Sequence, residues 1–556
     1  MSLRIRGFYA TQAFYRPAEP LTFRAEIESS GRRQVHAVLS LARPDGVARK
    51  QRESIRLSRG ITAIDFSMNI PSQAPHGYLV DLVLEDDSGD RTQAFTATDV
   101  LRSWTDDPRY GFMSEFGPDD SAIEDRVART ARFHLNCLQF YDWMYRHYRL
   151  LPPRERFTDA LGRKLSLKTV RKGVAASHRH RMGALAYAAV YAAEPEFFQD
   201  HQKWGLYAPD GSSLQLGKLF HLMDLTPGSA WVRHMLGDLA RTLRSLPFDG
   251  FHLDQYGFPR AGYTHGGELR DLARDFAEFV DAADAVTRGA HGRAGNIFNA
   301  VNAWPVEHVA RRRQAATYVE VWPPHTTYAD LVAIVRRCHD LAPGKPVILA
   351  AYAAFLARKP SGRSAAAGLA MLSAVIFGAG AWHLLLGEGD RALTHAYYPN
   401  HVRLQPEAMR TLRRYYDFAV GYRQFLRDPS LRDVAGTFID GTEPTFGASL
   451  PYSSTPAAGR IWVGMRTKPG WLVISLANLL DQSDLAWDRA RRAPEKRTVR
   501  LQLPNEARIR RCLVASPDGE GSMAPTVCEV SMLDQRTVQV PLRTWTLVIV
   551  ETDRPR

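Results

Sequence analysis

The stretch "GFHLDQYG", residues 250–257, places a carboxylate and an amide at the end of a short apolar run. Side chains in a strand alternate with period 2, so His252 and Asp254 share one face and the apolar residues share the other. Apolar residues recur at helical spacing in the preceding segment, residues 228–246. This order predicts a helix, a short turn and a strand that ends in an acid. Active sites of α/β sheets and barrels lie at that end, although the acid could also cap the following loop.

A second acid follows the same pattern in "ATYVEVWPPH", residues 316–325. Tyr318, Glu320 and Trp322 share one face of a predicted strand, and two prolines end it. A glutamate buried beside aromatic rings has a raised pKa unless it is paired. A glycosidase needs such a carboxyl group as its proton donor. The two strand ends therefore predict a pair of catalytic carboxylates.

Short strand candidates alternate with helical stretches through the middle of the chain, residues 101–428. Eight candidates are found, at residues 110–116, 136–143, 183–193, 250–257, 295–302, 317–322, 346–354 and 381–389. Eight strands alternating with helices predict a (β/α)8 TIM barrel. Asp254 then ends the fourth strand and Glu320 the sixth, so that the two carboxylates face each other across the barrel mouth.

Both flanks of this region contain short strands broken by Gly, Pro, Asn and Asp turns. Residues 1–100 predict an immunoglobulin-like β-sandwich. Residues 429–556 predict a C-terminal antiparallel β-sandwich, a frequent companion of carbohydrate-active barrels. The predicted protein is therefore multidomain, with a central TIM barrel between two β-sandwiches.

Composition excludes several other classes of protein. The 556 residues carry a net charge of +13, but the basic residues are dispersed and form no recognised motif, so we expect no nucleic-acid partner. No apolar run reaches the length of a membrane span, so we expect no membrane partner. The sequence "SHRH" at residues 177–180 is too weak a pattern to predict a metal site, and no cofactor is expected.

Cysteine spacing and the N-terminal sequence bear on the cellular compartment. The four cysteines form no C-x-x-C pattern and are interpreted as reduced core thiols, with a Cys512–Cys528 bridge left open. The first 20 residues contain no apolar signal-peptide core. We therefore expect a cytoplasmic protein as the chain stands, or a secreted one if a leader has been removed.

The chain resembles glycoside hydrolase family 66, the family of endo-dextranases and cycloisomaltooligosaccharide glucanotransferases. The resemblance covers nearly the whole chain, and its most specific segments are "HLNCLQFYDWMYRHY" (134–148) and "FDGFHLDQYG" (248–257), supported by "SWTDDPRYGFMSEF" (103–116), "ALAYAAVYAA" (184–193), "YVEVW" (318–322) and "WHLLLGEG" (382–389). It implies the three-domain architecture given above and a retaining enzyme that acts on α-1,6-linked glucan. It also implies Asp254 as nucleophile and Glu320 as acid/base.

Further polar and aromatic residues lie at or near predicted strand ends and are candidate sugar-binding groups. They are Tyr141, Asp142, Trp143, Tyr191, Gln255, Asn299, Trp322, His383 and Glu388. Carboxylates and amides can bind sugar hydroxyl groups, and aromatic rings stack on the C–H face of a pyranose. The alternative for each residue is a structural role, in core packing for Trp143 and in barrel layers or loop anchoring for the others.

We expect a retaining hydrolase that cleaves the α-1,6-glucosidic linkages of dextran or isomalto-oligosaccharides. The alternatives are an α-1,6-glucan transglycosylase of the cyclising type and a non-catalytic glucan-binding protein. Only residues 355–380 separate the last two predicted strands, which leaves no room for the carbohydrate-binding module that the family's cyclising enzymes carry in the barrel region. That favours hydrolysis. Neither a G-x-S-x-G nor a P-loop motif supports another enzyme class.

Overall fold

The computed structural model describes residues 3–46, 48–69, 76–292, 295–504, 508–531, 534 and 536–553. The N-terminal strands are β1 (Leu3–Ala10), β2 (Leu21–Ser29), β3 (Arg33–Ala42), β4 (Ala48–Leu57), β5 (Gly60–Met68), β6 (His76–Asp86) and β7 (Arg91–Val100). They form two antiparallel sheets, β1-β2-β5 and β4-β3-β6-β7. Every second residue of β2 is buried, from Leu21 to Ser29. The buried faces of both sheets share one core, in which Phe23 and Leu82 are fully enclosed.

The central strands form one large curled sheet and three small sheets. They are β8 (Tyr110–Met113), β9 (Cys137–Phe140), β10 (Arg156–Thr158), β11 (Lys164–Ser166), β12 (Gly183–Ala189), β13 (Ala192–Ala193), β14 (Leu206–Tyr207), β15 (Gln215–Leu216), β16 (Phe220–Leu222), β17 (Gly250–Asp254), β18 (Ala261–Thr264), β19 (Leu269–Asp271), β20 (Ile297–Val301), β21 (Thr317–Glu320), β22 (Val347–Ala350), β23 (Trp382–His383), β24 (Leu386–Gly387), β25 (Arg391–Leu393) and β26 (His401–Arg403). Each of the eight predicted segments contains a strand of the large curled sheet. The parallel pairing runs β8-β9-β12-β17-β20-β21-β22-β23.

The last predicted strand is divided into β23 and β24. Ile348 and Leu349 of β22 pair with β23, whereas Phe112 of β8 pairs with Gly387 of β24. The two short strands are separated only by residues 384–385. The second part of the last predicted strand therefore pairs with the first strand of the sheet. Because the strands are parallel, their carboxyl ends lie on the same side of the sheet.

Helices follow in chain order through the central region and into the C-terminal region. They are α1 (Ile123–Ala131), α2 (Leu167–Arg179), α3 (Pro195–Asp200), α4 (Ala230–Ser245), α5 (Leu272–His291), α6 (Val306–Val309), α7 (Tyr328–Leu341), α8 (Gly362–Ala379), α9 (Pro406–Gly421), α10 (Arg423–Leu426) and α11 (Ala435–Ile439). Strands enclosed on both faces are buried throughout, as in β9 and β22. Helix α8 is long and apolar enough to cross a membrane, but 72% of its most apolar window is buried inside the protein, as in a core helix.

The C-terminal region is again built from antiparallel sheets. Its strands are β27 (Arg432–Asp433), β28 (Gly447–Ala448), β29 (Tyr452–Ser453), β30 (Ile461–Lys468), β31 (Trp471–Asn478), β32 (Arg497–Gln502), β33 (Ile509–Ala515), β34 (Thr526–Cys528), β35 (Thr537–Leu542) and β36 (Trp545–Thr552). One sheet follows the order β27-β30-β31-β36-β33-β34 and the other β28-β32-β35, and both contribute to one core. Cys512 and Cys528 lie opposite each other on β33 and β34 as free thiols.

A buried charge cluster joins the N-terminal sheets, the first central strand and the helices that follow the curled sheet. Arg109 binds both carboxylate oxygens of Asp99, at 2.7 and 3.1 Å. Asp107 accepts from Arg423 at 2.9 Å and from the indole of Trp382 at 2.7 Å. Although burial opposes ionisation, the surrounding guanidinium groups hold the pKa of Asp107 below its ordinary value. The cluster holds the start of β8 against the N-terminal sheets and against the helices that follow the curled sheet.

Replacing Asp107 by Asn should destabilise the protein strongly. The change keeps the side-chain shape but leaves the guanidinium groups around it with an uncompensated buried charge, which costs about 3–5 kcal/mol. The matched control is Asp65→Asn, which breaks an exposed pair with Arg24 worth about 0–1 kcal/mol. Thermal unfolding should show a much lower Tm for Asp107→Asn than for the control. Equal Tm values would contradict the structural role of the cluster.

Candidate active site

A cavity of about 790 Å³ opens at the carboxyl ends of the parallel strands. Asp254 ends β17, Asn299 lies in β20 and Glu320 ends β21, and all three side chains line the cavity. The predicted alternation holds in β17, since His252 and Asp254 line the cavity while the intervening residues are buried on the outer face. The cavity also contains the other predicted residues Tyr141, Asp142, Tyr191, Gln255 and Trp322.

The side-chain amide of Asn299 connects the two carboxyl groups. Its Nδ2 donates to Oδ1 of Asp254 at 2.7 Å and to Oε2 of Glu320 at 2.9 Å. Two contacts of these lengths to one nitrogen limit the separation of the two oxygens to about 5.6 Å. Asn299 lies on the strand between those that carry the acids, so the order of the sheet itself produces this arrangement.

The remaining carboxylate oxygens accept from tyrosine hydroxyl groups. Tyr187 donates to Oδ2 of Asp254 at 2.6 Å, and Tyr352 donates to Oε1 of Glu320 at 2.8 Å. Asp254 is also stabilised by the backbone N–H of Gln255. Every oxygen of the pair thus has a donor, which fixes the orientation of both groups and favours their charged forms.

Burial has the opposite effect on the charges. It raises the pKa of Asp254 to about 6, and the like charge of Glu320 contributes to the same shift. Burial also raises the pKa of Glu320 above its ordinary value, against the donors Asn299, Tyr352 and Trp322. Because two like charges this close repel each other, the pair holds a proton more readily than either acid would alone.

A buried aromatic layer supports the carboxyl groups from below. His252 is 1% exposed, and burial lowers its pKa to about 3, so the imidazole is neutral. Its Nδ1 lies 3.0 Å from the hydroxyl of Tyr110, and its ring stacks on Tyr187 and meets the edge of Tyr318. The layer excludes water beneath the pair and keeps Tyr187 in place to bind Asp254.

Asp142 forms a second acidic position on the cavity wall. It follows β9 with φ at 47°, a left-handed conformation that is strained for an aspartate and that recurs at functional sites. Burial raises its pKa to about 6, although His147 and Arg163 act in the opposite direction. Arg163 binds the Asp142 carbonyl at 2.8 Å and so fixes this turn.

A buried histidine–glutamate pair lies beside Asp142. Nδ1 of His147 lies 2.9 Å from Oε1 of Glu194, which also accepts from the His147 backbone N–H. Burial alone would lower the pKa of His147, but the hydrogen bond and charge of Glu194 outweigh it and raise the pKa. Glu194 thus favours the protonated form of His147, which lines the cavity together with Asp142.

Three residues predicted to bind sugar do not line this cavity. Trp143 is fully buried against Phe248 and donates its indole N–H to the carbonyl of Tyr187, so it packs the core. His383 is buried and its Nε2 contacts the carbonyl of Ala351. Their strand-end positions are correct, but their side chains point into the protein.

Glu388 has a structural role for a similar reason. It is 0% exposed, forms an ion pair with Arg126 and accepts from the backbone N–H groups of Ser114 and Glu115. These contacts join the end of the last strand to the loop after β8. Gln255 lines the cavity, but its amide binds the carbonyl of Trp304 and the N–H of Gly257, so it also anchors the loop after Asp254.

Sequence reasoning missed the two tyrosines that bind the carboxyl pair. Tyr187 lies inside β12 rather than at its end, in register with His252, and Tyr352 lies two residues beyond β22. The position of Tyr352 after its strand matches that of Trp322 after β21, a signal that the sequence contains. In the part of the chain that the structure describes, no cluster of three or more His, Cys, Asp or Glu residues is arranged to hold a metal ion.

The raised pKa of Asp254 predicts that the pair destabilises the fold at high pH. A free aspartate has a pKa of about 3.9. The folded protein therefore binds this proton more tightly than the unfolded chain, and the resulting stability is lost as the pH rises through about 6. Asp254→Asn removes this loss, so its Tm should exceed that of the wild type at pH 8 and the gap should shrink below about pH 4. The exposed control Asp200→Asn should show no such pH-dependent gain, and a constant Tm difference in Asp254→Asn would contradict the electrostatic argument.

Comparisons with known proteins identify the family of this chain. The family model of glycosyl hydrolase family 66 matches residues 11–549. Two cycloisomaltooligosaccharide glucanotransferases of Niallia circulans are 27% identical over 373 residues and 28% identical over 323 residues, which cover 63% and 54% of this chain. The chain spans well under half the length of these relatives, since the matches cover 38% and 33% of them.

A solved structure supports the fold along nearly the whole chain. It is the Paenibacillus sp. cycloisomaltooligosaccharide glucanotransferase complexed with cycloisomaltoheptaose, which aligns with a TM-score of 0.86 at 18% identity and covers 98% of this chain and 99% of that one. The resemblance noted from the sequence motifs is confirmed by the family match, which extends through both flanking regions as well as the curled sheet. The chain belongs to glycosyl hydrolase family 66.

Proposed function

We propose that this chain is a retaining enzyme that cleaves α-1,6-linked glucan and transfers the glycosyl group to an acceptor. The observation that carries the proposal is the amide of Asn299, which binds both carboxyl groups and holds their nearest oxygens within about 5.6 Å. Retaining glycosidases keep the two carboxyl groups about 5–5.5 Å apart, whereas inverting enzymes need about 6.5–9.5 Å to admit a water molecule. The geometry supports retention.

Asp254 is the proposed nucleophile and Glu320 the proposed acid/base. Hydrogen-bond donors favour the carboxylate form and burial favours the protonated form of both groups, so the pair can share one proton between an ionised nucleophile and a protonated acid. The family motifs assign the same roles to these two positions.

The first step forms a covalent intermediate. Oδ of Asp254 attacks the anomeric carbon, the glycosidic C–O bond breaks, and Glu320 transfers its proton to the departing oxygen. In the second step Glu320 takes a proton from an incoming hydroxyl group, whose oxygen displaces Asp254. Asp142, Tyr141 and Tyr191 also line the cavity and are proposed to bind the sugar that becomes attached to Asp254.

The acceptor decides between hydrolysis and transfer. The sequence alone favours hydrolysis, because no room remains for an inserted module between the last two strands. The relatives instead are named as cycloisomaltooligosaccharide glucanotransferases, which favours a sugar hydroxyl as acceptor. We therefore propose transglycosylation as the main reaction of the intermediate, with water as the competing acceptor. A purely binding protein would have no need for this fully hydrogen-bonded carboxyl pair.

The same proposal extends to the architecture. We assign the curled sheet and its helices, within residues 101–428, to a (β/α)8 TIM barrel, supported by the pairing of the divided last strand with both β22 and β8. Residues 1–100 are assigned to an immunoglobulin-like domain and residues 429–556 to a C-terminal β-sandwich. Each flanking region has its own buried core, which supports these boundaries.

The products of isomalto-oligosaccharides test the reaction. Incubation with isomaltotriose should yield oligosaccharides longer than the substrate, as well as glucose or isomaltose, because the intermediate is intercepted by a second sugar. Chromatography with mass detection follows the products, and maltotriose serves as the α-1,4-linked control. If the products are all shorter than isomaltotriose, the result supports hydrolysis as the main reaction. The absence of any product from isomaltotriose and from dextran would contradict both transglycosylation and hydrolysis of α-1,6-linked glucan.

Azide rescue tests the separate roles of the two acids. Glu320→Gln should reduce turnover of dextran by about 10²–10⁴-fold or more, because a sugar leaving group needs protonation. With an α-isomaltoside that carries an acidic phenol, Asp254 should still be glycosylated, and added azide should release the sugar as the α-azide. Asp254→Gly should instead give the β-azide, since azide takes the place of the missing carboxylate. Identical anomers from both variants, identified by NMR, would contradict the assignment.

A further inference from the structure

A second cavity of about 330 Å³ adjoins the active site. Trp322, Tyr352 and Ala396 line both cavities, so the two spaces are adjacent and share these side chains as a common wall. The far wall of the second cavity comes from the C-terminal region, at residues 486–489. The site proposed above does not use this space.

The second cavity lies on the Glu320 side of the carboxyl pair. Oε2 of Glu320 faces Asn299 and Asp254, whereas Oε1 binds Tyr352, which borders the second cavity. In a retaining enzyme the attached sugar lies over the nucleophile, and the departing or incoming sugar lies beyond the acid/base. The position of the cavity is therefore that of the departing and incoming sugar.

The far wall is held in place by the strand-end loops. The backbone N–H of Trp487 donates to Thr326 at 3.0 Å and its indole donates to His325 at 3.0 Å. Asp488 accepts from the backbone N–H of Phe355 at 2.9 Å. The wall thus has a fixed position relative to the loops that follow β21 and β22, which carry Trp322 and Tyr352.

The lining suits a pyranose ring. Trp322 and Trp487 provide aromatic surface, and the other apolar contacts come from Val321, Pro323, Ala354 and Ala486. Polar groups lie around them at Thr326, Arg358, His395 and Arg489. All four are exposed, and three of them carry charged or imidazole side chains. Apolar faces with a few polar groups are the usual lining of a sugar-sized site.

We infer that this cavity is the acceptor site, in which Trp487 and its neighbours bind the glucosyl residue of a second α-1,6-glucan chain and favour transfer over hydrolysis. The inference rests on the proposed function. The acceptor's 6-hydroxyl oxygen forms the new bond to the anomeric carbon, the bond to Asp254 breaks, and Glu320 receives the hydroxyl proton. An acceptor seated here also displaces water from the Glu320 side of the pair.

The test separates acceptor binding from formation of the intermediate. The donor is α-isomaltosyl fluoride, whose leaving group is too small to use the second cavity, and the acceptor is isomaltotriose. In Trp487→Ala, the KM for isomaltotriose should rise about tenfold, as for loss of one well-packed contact, and the fraction of transfer products should fall. Fluoride release without acceptor should change by less than about twofold. The matched control is Trp471→Ala, a half-buried tryptophan of the same region that packs on Phe425 and lines neither cavity.

A second variant fills the cavity instead of emptying it. Thr326 is exposed on the cavity wall, so Thr326→Phe should occupy the space at little cost to the core and raise the acceptor KM as well. If Trp487→Ala does not fold, Thr326→Phe still tests whether the second cavity binds the acceptor. An unchanged acceptor KM in the folded variants, with normal fluoride release, would overturn the acceptor site alone. A wild-type protein that releases no fluoride would overturn the proposed function and the acceptor site with it.

Discussion

Two carboxyl groups in contact with one buried amide cannot both ionise without a large electrostatic cost, and the arrangement of the site follows from this constraint. The sheet places Asp254 and Glu320 two strands apart with Asn299 between them. Tyrosine donors lower the cost of charge, burial raises it, and the balance leaves the pair ready to hold one proton. The neutral layer around His252 keeps further charge away from the pair.

The parts of the site that could be predicted from the sequence are those that follow from strand alternation. The period of 2 in "GFHLDQYG" and "ATYVEVWPPH" placed Asp254 and Glu320 on the inner face, and the structure has both on the cavity wall. His383 and Glu388 were proposed from their positions near a strand end, but they lie on the divided last strand and do not line the cavity. Nε2 of His383 contacts the carbonyl of Ala351, and Glu388 accepts from the backbone N–H groups of Ser114 and Glu115. Strand alternation predicts the face on which a side chain lies, but it does not predict the hydrogen-bond partner of that side chain.

Residues distant in sequence set the remaining features, which is why a local pattern could not reveal them. Tyr187 reaches Asp254 from the neighbouring strand, and the acidic Asp107 binds Arg423, more than 300 positions later. Helix α9 ends at Gly421 and α10 begins at Arg423, whose guanidinium group binds Asp107. Such contacts depend on how the elements pack together, whereas each of the eight predicted strand segments was found from local pattern alone.

The proposed catalytic pair alone does not distinguish hydrolysis from transfer, because under the proposed mechanism both reactions pass through the same glycosyl intermediate on Asp254. The difference must arise after that step, from the relative access of water and of a sugar hydroxyl to the anomeric carbon. Water needs no binding site, whereas a sugar gains from every surface that fits it. In this structure the surface beyond Glu320 is completed by Trp487, which lies in the C-terminal region rather than on the curled sheet. In the proposed mechanism the sheet therefore carries the bond-breaking chemistry, while a segment more than 160 residues from Glu320 influences which molecule receives the sugar.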